Sequence, residues 1–346
     1  MQFSEVILQW YAEHGRALPW RESADPYKIW VSEIILQQTR VAQGMDYYRR
    51  FVRAFPTVEA LAEADEDAVM HQWQGLGYYS RARNLHAAAR QVVARGAFPD
   101  TLDEVRRLKG VGDYTAAAIC SFAFGLPVAV VDGNVYRVLS RYFALATPID
   151  TSAGKKAFAE LAAELLPKDA DRVADYNQAL MDFGALQCVP ATPHCETCPL
   201  ADSCGACGEQ RVADFPVKSH RTQVKERHFV YIDVVTPEGR WLHRRGAGDI
   251  WQGLYEVPLL EFDHAPSLQE VQAHPFVRQQ LPEGGVWTQV ARQRKHVLTH
   301  RVLWADCYRL RYDFPVALPP NHIAVPREDL PRYALPRLLT LLLTDN

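Results

Sequence analysis

A chain of 346 residues, 48% hydrophobic and 23% charged, exceeds one ordinary domain and has enough apolar mass for two globular cores. It contains no apolar run of about 18 residues, which speaks against a membrane-spanning helix. The amphipathic start MQFSEVILQWYAEHGRALPW lacks a cationic leader and a small-residue cleavage site, so an intracellular, cytoplasmic protein is expected. The net charge of −3 argues against a surface that is basic throughout and leaves room only for a local basic groove.

In chain order, residues 1 to about 207 read as almost wholly helical. Asp25-Pro26 pairs an N-cap residue with proline at the first helical position and opens a helix expected to run through Thr39. Thr101 and Glu104 form a capping-box pattern ahead of a helix expected to stop at Gly110, and a short helix from Tyr114 to Phe124 follows. Val135 to Phe143 and Lys155 to Leu166 continue the helical periodicity. Gly208 to Arg227 is polar, lacks periodicity and reads as a linker. Beyond it, HFVYIDVV, the turn TPEGR and WLHRR predict a β-hairpin, VLWADCYRLRY a further strand, and PRYALPRLLTLLL a closing helix. The expected architecture is a mainly α domain over residues 1–207, a linker over 208–227, and an α+β domain over 228–346, with no internal repeat.

Five of the seven cysteines fall within twenty residues: Cys188, Cys195, Cys198, Cys204 and Cys207. Cys120 and Cys307 sit in apolar stretches as core residues. An odd count and tight clustering suit a metal site better than a disulfide framework. Four thiolates hold either zinc or a [4Fe–4S] cluster. One register uses Cys188, Cys195, Cys198 and Cys204; the other replaces Cys188 with Cys207.

Three further segments carry chemistry. LKGVGDYTAAAI joins two helices through Gly110, Val111 and Gly112, where glycines allow close backbone approach and helix-start amides can hold a phosphate. The alternative is an ordinary helix-capping turn. Glu33, in IWVSEIILQQTR, shares a helix face with Ile29, Trp30 and Gln37. An acid on an apolar face loses hydration and keeps its proton to higher pH, which suits a general acid; a carboxylate turned to solvent is the plainer reading. Asp132, in AVVDGNVYRVLSR, has the place of an N-cap, and helix amides there would keep it ionised. Two carboxylates of opposed protonation match the logic of glycoside cleavage.

LPWR at 18–21, WVSEIILQQTRV at 30–41, GLGYYSRARNLH at 75–86, the glycine turn, VVDGNVYRVL, and YNQALMDFGALQC at 176–188 resemble, in this order, the MutY family of adenine DNA glycosylases. These belong to the helix-hairpin-helix, endonuclease III-like superfamily, whose [4Fe–4S] spacing is similar to that of Cys188, Cys195, Cys198 and Cys204. The resemblance implies a helix-hairpin-helix glycosylase domain and a Nudix-like C-terminal domain that reads 8-oxoguanine. The implied function is monofunctional base excision repair: hydrolysis of the bond between deoxyribose and adenine mispaired with 8-oxoguanine or guanine in duplex DNA, by a monomer.

Glu33 would then protonate the adenine and Asp132 would stabilise the sugar cation, with Tyr114 and Asn134 orienting sugar and water. Trp20, Arg21 and Gln178 would line the pocket for the flipped adenine. Gln38, Thr39 and Tyr78 would fill the gap and contact 8-oxoguanine, with Thr299 and His300 reading it from the C-terminal domain. Gly110, Val111 and Gly112 would bind the DNA backbone, helped by a monovalent cation on the carbonyls of Arg106, Leu108 and Val111. Tyr114 stands where strand-nicking relatives have a lysine, and tyrosine cannot form a Schiff base. Asp113 adds negative charge beside the expected phosphate, and Leu298 replaces a common aromatic. The C-terminal domain has no acidic Nudix box, so nucleotide hydrolysis there is not expected. Two alternatives remain: an endonuclease III-like glycosylase/lyase for oxidised pyrimidines, and a non-catalytic iron–sulfur DNA-binding protein.

Overall fold

The computed structural model describes residues 2–219 and 224–343. Contacts divide the chain into Met1–Glu63 with Ala87–Arg221, and Ala64–His86 with Thr222–Asn346. No helix among the described residues is long and apolar enough to cross a membrane.

The first unit is helical. Asp25 caps the helix Pro26–Leu36 by accepting from the Tyr27 and Lys28 amides, as the Asp-Pro pair predicts. That helix stops before Thr39: Gln37 turns extended and Gln38 is left-handed at φ 57°. Helix Leu102–Arg106 ends short of Gly110, and Thr101 makes no side-chain cap bond. Its hydroxyl instead donates to the Glu104 carboxylate, which Arg95 pairs, so the capping box does not form. Helices Asp113–Phe124, Gly133–Tyr142 and Ser152–Glu164 lie within two or three residues of their expected bounds. The core gathers Phe3, Ile7 and Trp10 of helix Phe3–His14 around Val135, Leu139, Phe158, Tyr176, Leu180 and Phe183.

The expected linker is largely ordered. Gly205–Gly208 is a helical turn and Val212–Asp214 a 3-10 turn, and Phe215 is buried. The buried Arg141 guanidinium donates to the Val212 and Phe215 carbonyls, fixing this polar stretch to the helical unit. Lys225 onward is strand; residues 220–223 lie outside the described residues. Composition reads polarity as looseness, whereas one buried cation can satisfy many backbone carbonyls.

The second unit is built on a mixed seven-stranded sheet of β1 Lys225–Thr236, β2 Gly239–Arg244, β3 Tyr255–Glu256, β4 Leu259–Phe262, β5 Val286–Leu298, β6 Arg301–Arg311 and β7 His322–Val325. The main path runs β3-β2-β1-β6-β5, with β4 on β1 and β7 on β2. The expected hairpin is β1–β2, antiparallel at Val235↔Arg240. The expected strand at 302–312 is β6, and it pairs parallel to β1 over eleven residues. Phe229 and Tyr231 face the closing helix Arg337–Leu343, while Val230, Ile232 and Val234 face helices Leu268–Ala273 and Pro275–Gln280. Both faces of β1 are covered, which is why HFVYIDVV is apolar almost without alternation.

Residues 64–86, expected within the N-terminal domain, group instead with the C-terminal one. Arg244 pairs with Glu66 at 2.9 Å and Asp67 at 3.1 Å, Tyr255 donates to Asp67 at 3.1 Å, and His71 bonds the Pro331 carbonyl at 2.8 Å. Such pairs join residues up to 260 positions apart, beyond the reach of local periodicity.

Candidate active site

A cavity of about 640 Å³ in the first unit is lined by Trp20, Arg21, Glu33, Gln38, Thr39, Tyr114, Asp132, Asn134 and Gln178. Seven residues expected to serve catalysis and adenine binding, from Trp20 to Gln178, therefore meet in one place, together with Gln38 and Thr39, which were expected to contact 8-oxoguanine. Gln38 and Thr39 reach it because the helix breaks at Gln37.

Glu33 is 6% exposed on helix Pro26–Leu36. Burial pushes its carboxyl up to about 7; the Tyr114 hydroxyl, donating to Oε2 at 2.5 Å, works against this, and the nearby Asp132 adds to it. The tyrosine in turn holds its proton far above its ordinary range, first through burial and then through the two acids.

Asp132 caps helix Gly133–Tyr142. It accepts from the Asn134 and Val135 amides, each at 2.8 Å, and from the Asn134 side chain at 2.7 Å. The expected cap is present; burial moves the Asp132 pKa upward against these donors. Three donors against one on Glu33, and the lower starting point of an aspartate, make Asp132 the first of the pair to ionise. Glu33, pushed up to about 7, is thus the acid of the pair that keeps its proton longer.

Asn134 is set by Arg137, whose Nη2 donates to Asn134 Oδ1 at 2.8 Å and to the Gly184 carbonyl at 2.5 Å. A Cβ on Gly184 would lie 2.6 Å from the Asn134 Cβ, so only glycine lets the two helices approach this closely.

Sequence reasoning missed Asp182, which is wholly buried. Its carboxylate receives Arg21 through two bonds of 2.8 and 2.9 Å, the Arg16 Nε at 2.9 Å and the Arg16 amide at 3.0 Å. Burial raises its pKa, but the two guanidiniums outweigh it and hold the acid below the usual range. Arg21 thus lines the cavity with its guanidinium committed to Asp182. The signals were legible as an acid inside the apolar helix Val173–Leu186 and two arginines in GRALPWR; their pairing was not.

At the glycine turn, Gly110 is left-handed at φ 76°, and the Leu108 carbonyl accepts from the Val111 amide at 3.1 Å. Gly112 starts helix Asp113–Phe124 with no atom near where its Cβ would be, so the amides there are open to a ligand. Asp113 is paired with Arg106 at 2.7 Å, which offsets its charge toward an anion.

The cysteine loop is also in the first unit. Cys188 follows helix Val173–Leu186, Cys195 opens a 3-10 turn, and Cys204 begins the turn holding Cys207. All five thiols, with Arg141, line one cavity of about 30 Å³. Arg141 donates to Cys188 Sγ at 3.4 Å and to the Val189 and Pro190 carbonyls. Burial, then the neighbouring thiols, pushes Cys195 and Cys204 up, and burial takes Cys198 to about 11. Five soft donors beside a fixed cation are chemically suited to an anionic metal–thiolate group. Cys207 faces the same cavity as the other four, so the choice of register stays open.

In the second unit, Tyr78, Trp251, Leu298, Thr299 and His300 line a cavity of about 650 Å³. Thr299 and His300 form the two-residue turn between β5 and β6, and the Tyr78 hydroxyl hydrogen-bonds Thr299. Tyr78 is 41% exposed and left-handed at φ 45°. Leu298 packs against the sheet core.

Two family models match the chain: the HhH-GPD superfamily base excision DNA repair protein over residues 31–168, and the NUDIX domain over residues 231–345. The chain is 32% identical over 259 residues to the adenine DNA glycosylase of Buchnera aphidicola subsp. Acyrthosiphon pisum, covering 74% of this chain and 73% of that protein. It is 40% identical over 325 residues to the adenine DNA glycosylase of Schizosaccharomyces pombe, covering 75% and 70%. Among solved structures, a thermostable thymine-DNA glycosylase superposes with a TM-score of 0.55 at 32% identity, over 60% of this chain and 95% of that one.

Proposed function

The chain belongs to the adenine DNA glycosylase family, enzymes of base excision DNA repair, and from that premise we propose which residues perform the reaction and on which mispair. The observation that carries the proposal is a pair of acids on one cavity, Glu33 buried and Asp132 partly so, with Glu33 protonated up to about pH 7.

Adenine is flipped into the cavity because its glycosidic bond cannot be attacked within the stack. Glu33 gives its proton to a nitrogen of the five-membered ring. The bond between C1′ and the base breaks, and its electron pair leaves with the now neutral purine. The Asp132 carboxylate faces the positive charge that develops on the sugar. Water held by Asn134 and Tyr114 adds to C1′, and its proton goes to the bared Glu33, restoring the acid. Tyr114 leaves no amine for a Schiff base, so the product is an abasic site in an unbroken strand.

The second cavity receives the partner base, with the Thr299 hydroxyl and His300 suited to the added oxygen and N–H of 8-oxoguanine. Gly110, Val111 and Gly112 take a backbone phosphate, with a monovalent cation on the Arg106, Leu108 and Val111 carbonyls. Cys188, Cys195, Cys198 and Cys204 would hold a [4Fe–4S] cluster. When bound, it replaces the thiol protons with iron and ties the loop from Cys188 to Cys204 to the helical unit.

The test uses duplexes carrying adenine opposite 8-oxoguanine, with and without hot alkali. Breakage only after alkali is the expected result. Breakage without alkali points to a lyase, and absence of abasic product points to a binding protein; either defeats the proposal.

A further inference from the structure

Among the described residues, β5 ends the sheet of the second unit and bonds only β6. Between Val286 and Arg301 the sequence holds Arg292, Arg294, Lys295 and Arg301 and no acid, in a chain whose net charge is −3. Arg292, Arg294 and Lys295 are exposed, and none is ion-paired to a described residue. Lys295 sits 5.2 Å from the Trp304 ring centre, which orients an ammonium without neutralising it.

The ladder between β5 and β6 breaks at this run. Ala291 pairs with Cys307 and Arg294 with Ala305, so Arg292 and Gln293 together oppose Asp306. Gln293 is left-handed at φ 47°, a conformation unfavourable for a residue with a side chain. Asp306, 2% exposed, secures it by accepting the Gln293 amide at 2.5 Å and its side-chain amide at 3.3 Å. A buried acid thus maintains a strained bulge in the middle of the basic run. Such bulges re-aim side chains and end pairing beside functional sites. The strand runs on into the Thr299–His300 turn within four residues of Lys295.

We propose that β5 is a phosphate-binding edge: Arg292, Arg294 and Lys295 hold the phosphodiester backbone of the strand whose base is offered to the Thr299–His300 turn. This rests on the reading of that turn given above. The occupant is DNA because three exposed cations, none ion-paired to a described residue and with the one acid beside them buried and bonded to Gln293, complement a regularly spaced row of phosphates. The simpler role for lysine and a bulge at a sheet edge is to keep other chains from pairing with it, and the experiment separates the two.

The full chain with Arg292, Arg294 and Lys295 changed to alanine is compared with the unaltered protein by duplex binding at several salt concentrations, with and without the lesion pair. Thermal melting checks that the sheet is intact. The expected slope of log affinity against log salt falls by about one for each lost contact. Affinity drops roughly tenfold or more for both duplexes at moderate salt. Single-turnover adenine release from saturated enzyme is unchanged. The double change R292K/R294K keeps the slope, because the charge alone is needed. An unchanged slope overturns the proposal, and an unchanged slope with new self-association assigns the cations to edge protection. If the unaltered protein releases no adenine while the slope still falls, the phosphate edge stands and the excision reading is lost.

Discussion

Two cavities of almost equal volume, about 640 and 650 Å³, differ in how deeply their key polar groups are buried. The one in the helical unit holds Glu33, Asp132 and the Arg21–Asp182 pair, all buried or nearly so. The one in the sheet unit mixes aromatics and aliphatics with charged residues such as Arg83, Asp249 and Arg301, and its Thr299 and His300 are exposed. Burial gives a carboxyl a proton it would otherwise lose, so the first can do acid chemistry. The exposed Thr299 hydroxyl and His300 imidazole can hydrogen-bond a base edge, the recognition role proposed for them. On the proposed roles, reactivity and discrimination come from different degrees of access to water.

The harshest test of this contrast is Glu33→Gln. Base release should fall by about 10²- to 10⁴-fold with mismatch affinity retained, measured by single-turnover excision and by binding. Equal loss of both would make Glu33 a structural residue. The same change should also stabilise the fold in alkali. A carboxyl whose folded pKa is raised adds stability below its ordinary value of 4.5, and that stability is lost as pH rises through about 7. Removing it should gain about 3 kcal/mol at pH 8, read by denaturant melting, whereas no gain would mean the site is wetter than its burial indicates.

Next in size, Cys204→Ser should lose visible absorbance and DNA affinity, while Cys207→Ser keeps both. Equal behaviour of the two would shift the ligand set to Cys195, Cys198, Cys204 and Cys207.

Tyr114→Phe removes the donor that favours the Glu33 anion. Glu33 should hold its proton longer, and the alkaline limb of the excision profile should move up by about one pH unit. A downward move would reverse the assigned roles. The smallest effect is expected at Thr299→Ala: about fivefold lower preference for 8-oxoguanine over guanine opposite adenine, with no change in the pH profile. A shifted profile there would contradict the division between the two cavities.

Several features follow from local sequence. Asp25-Pro26 fixed a helix start because a cap and a preset φ act within four residues. Asp132 was legible as a cap for the same reason, and Glu33 as a buried acid from its apolar helix face. The strand HFVYIDVV was legible as half of a hairpin from its largely apolar run and the turn after it, and the cysteine loop by clustering alone.

What only the folded chain decided is long-range and electrostatic. The break at Gln37 that carries Gln38 and Thr39 to the cavity, the parallel pairing of β1 with β6, and the grouping of residues 64–86 with the sheet all depend on partners far along the chain. So does Asp182, whose two arginines lie more than 160 positions away. Propensity and capping are settled by neighbours in sequence; the solvation and pairing of a charge are settled by whatever the fold packs against it.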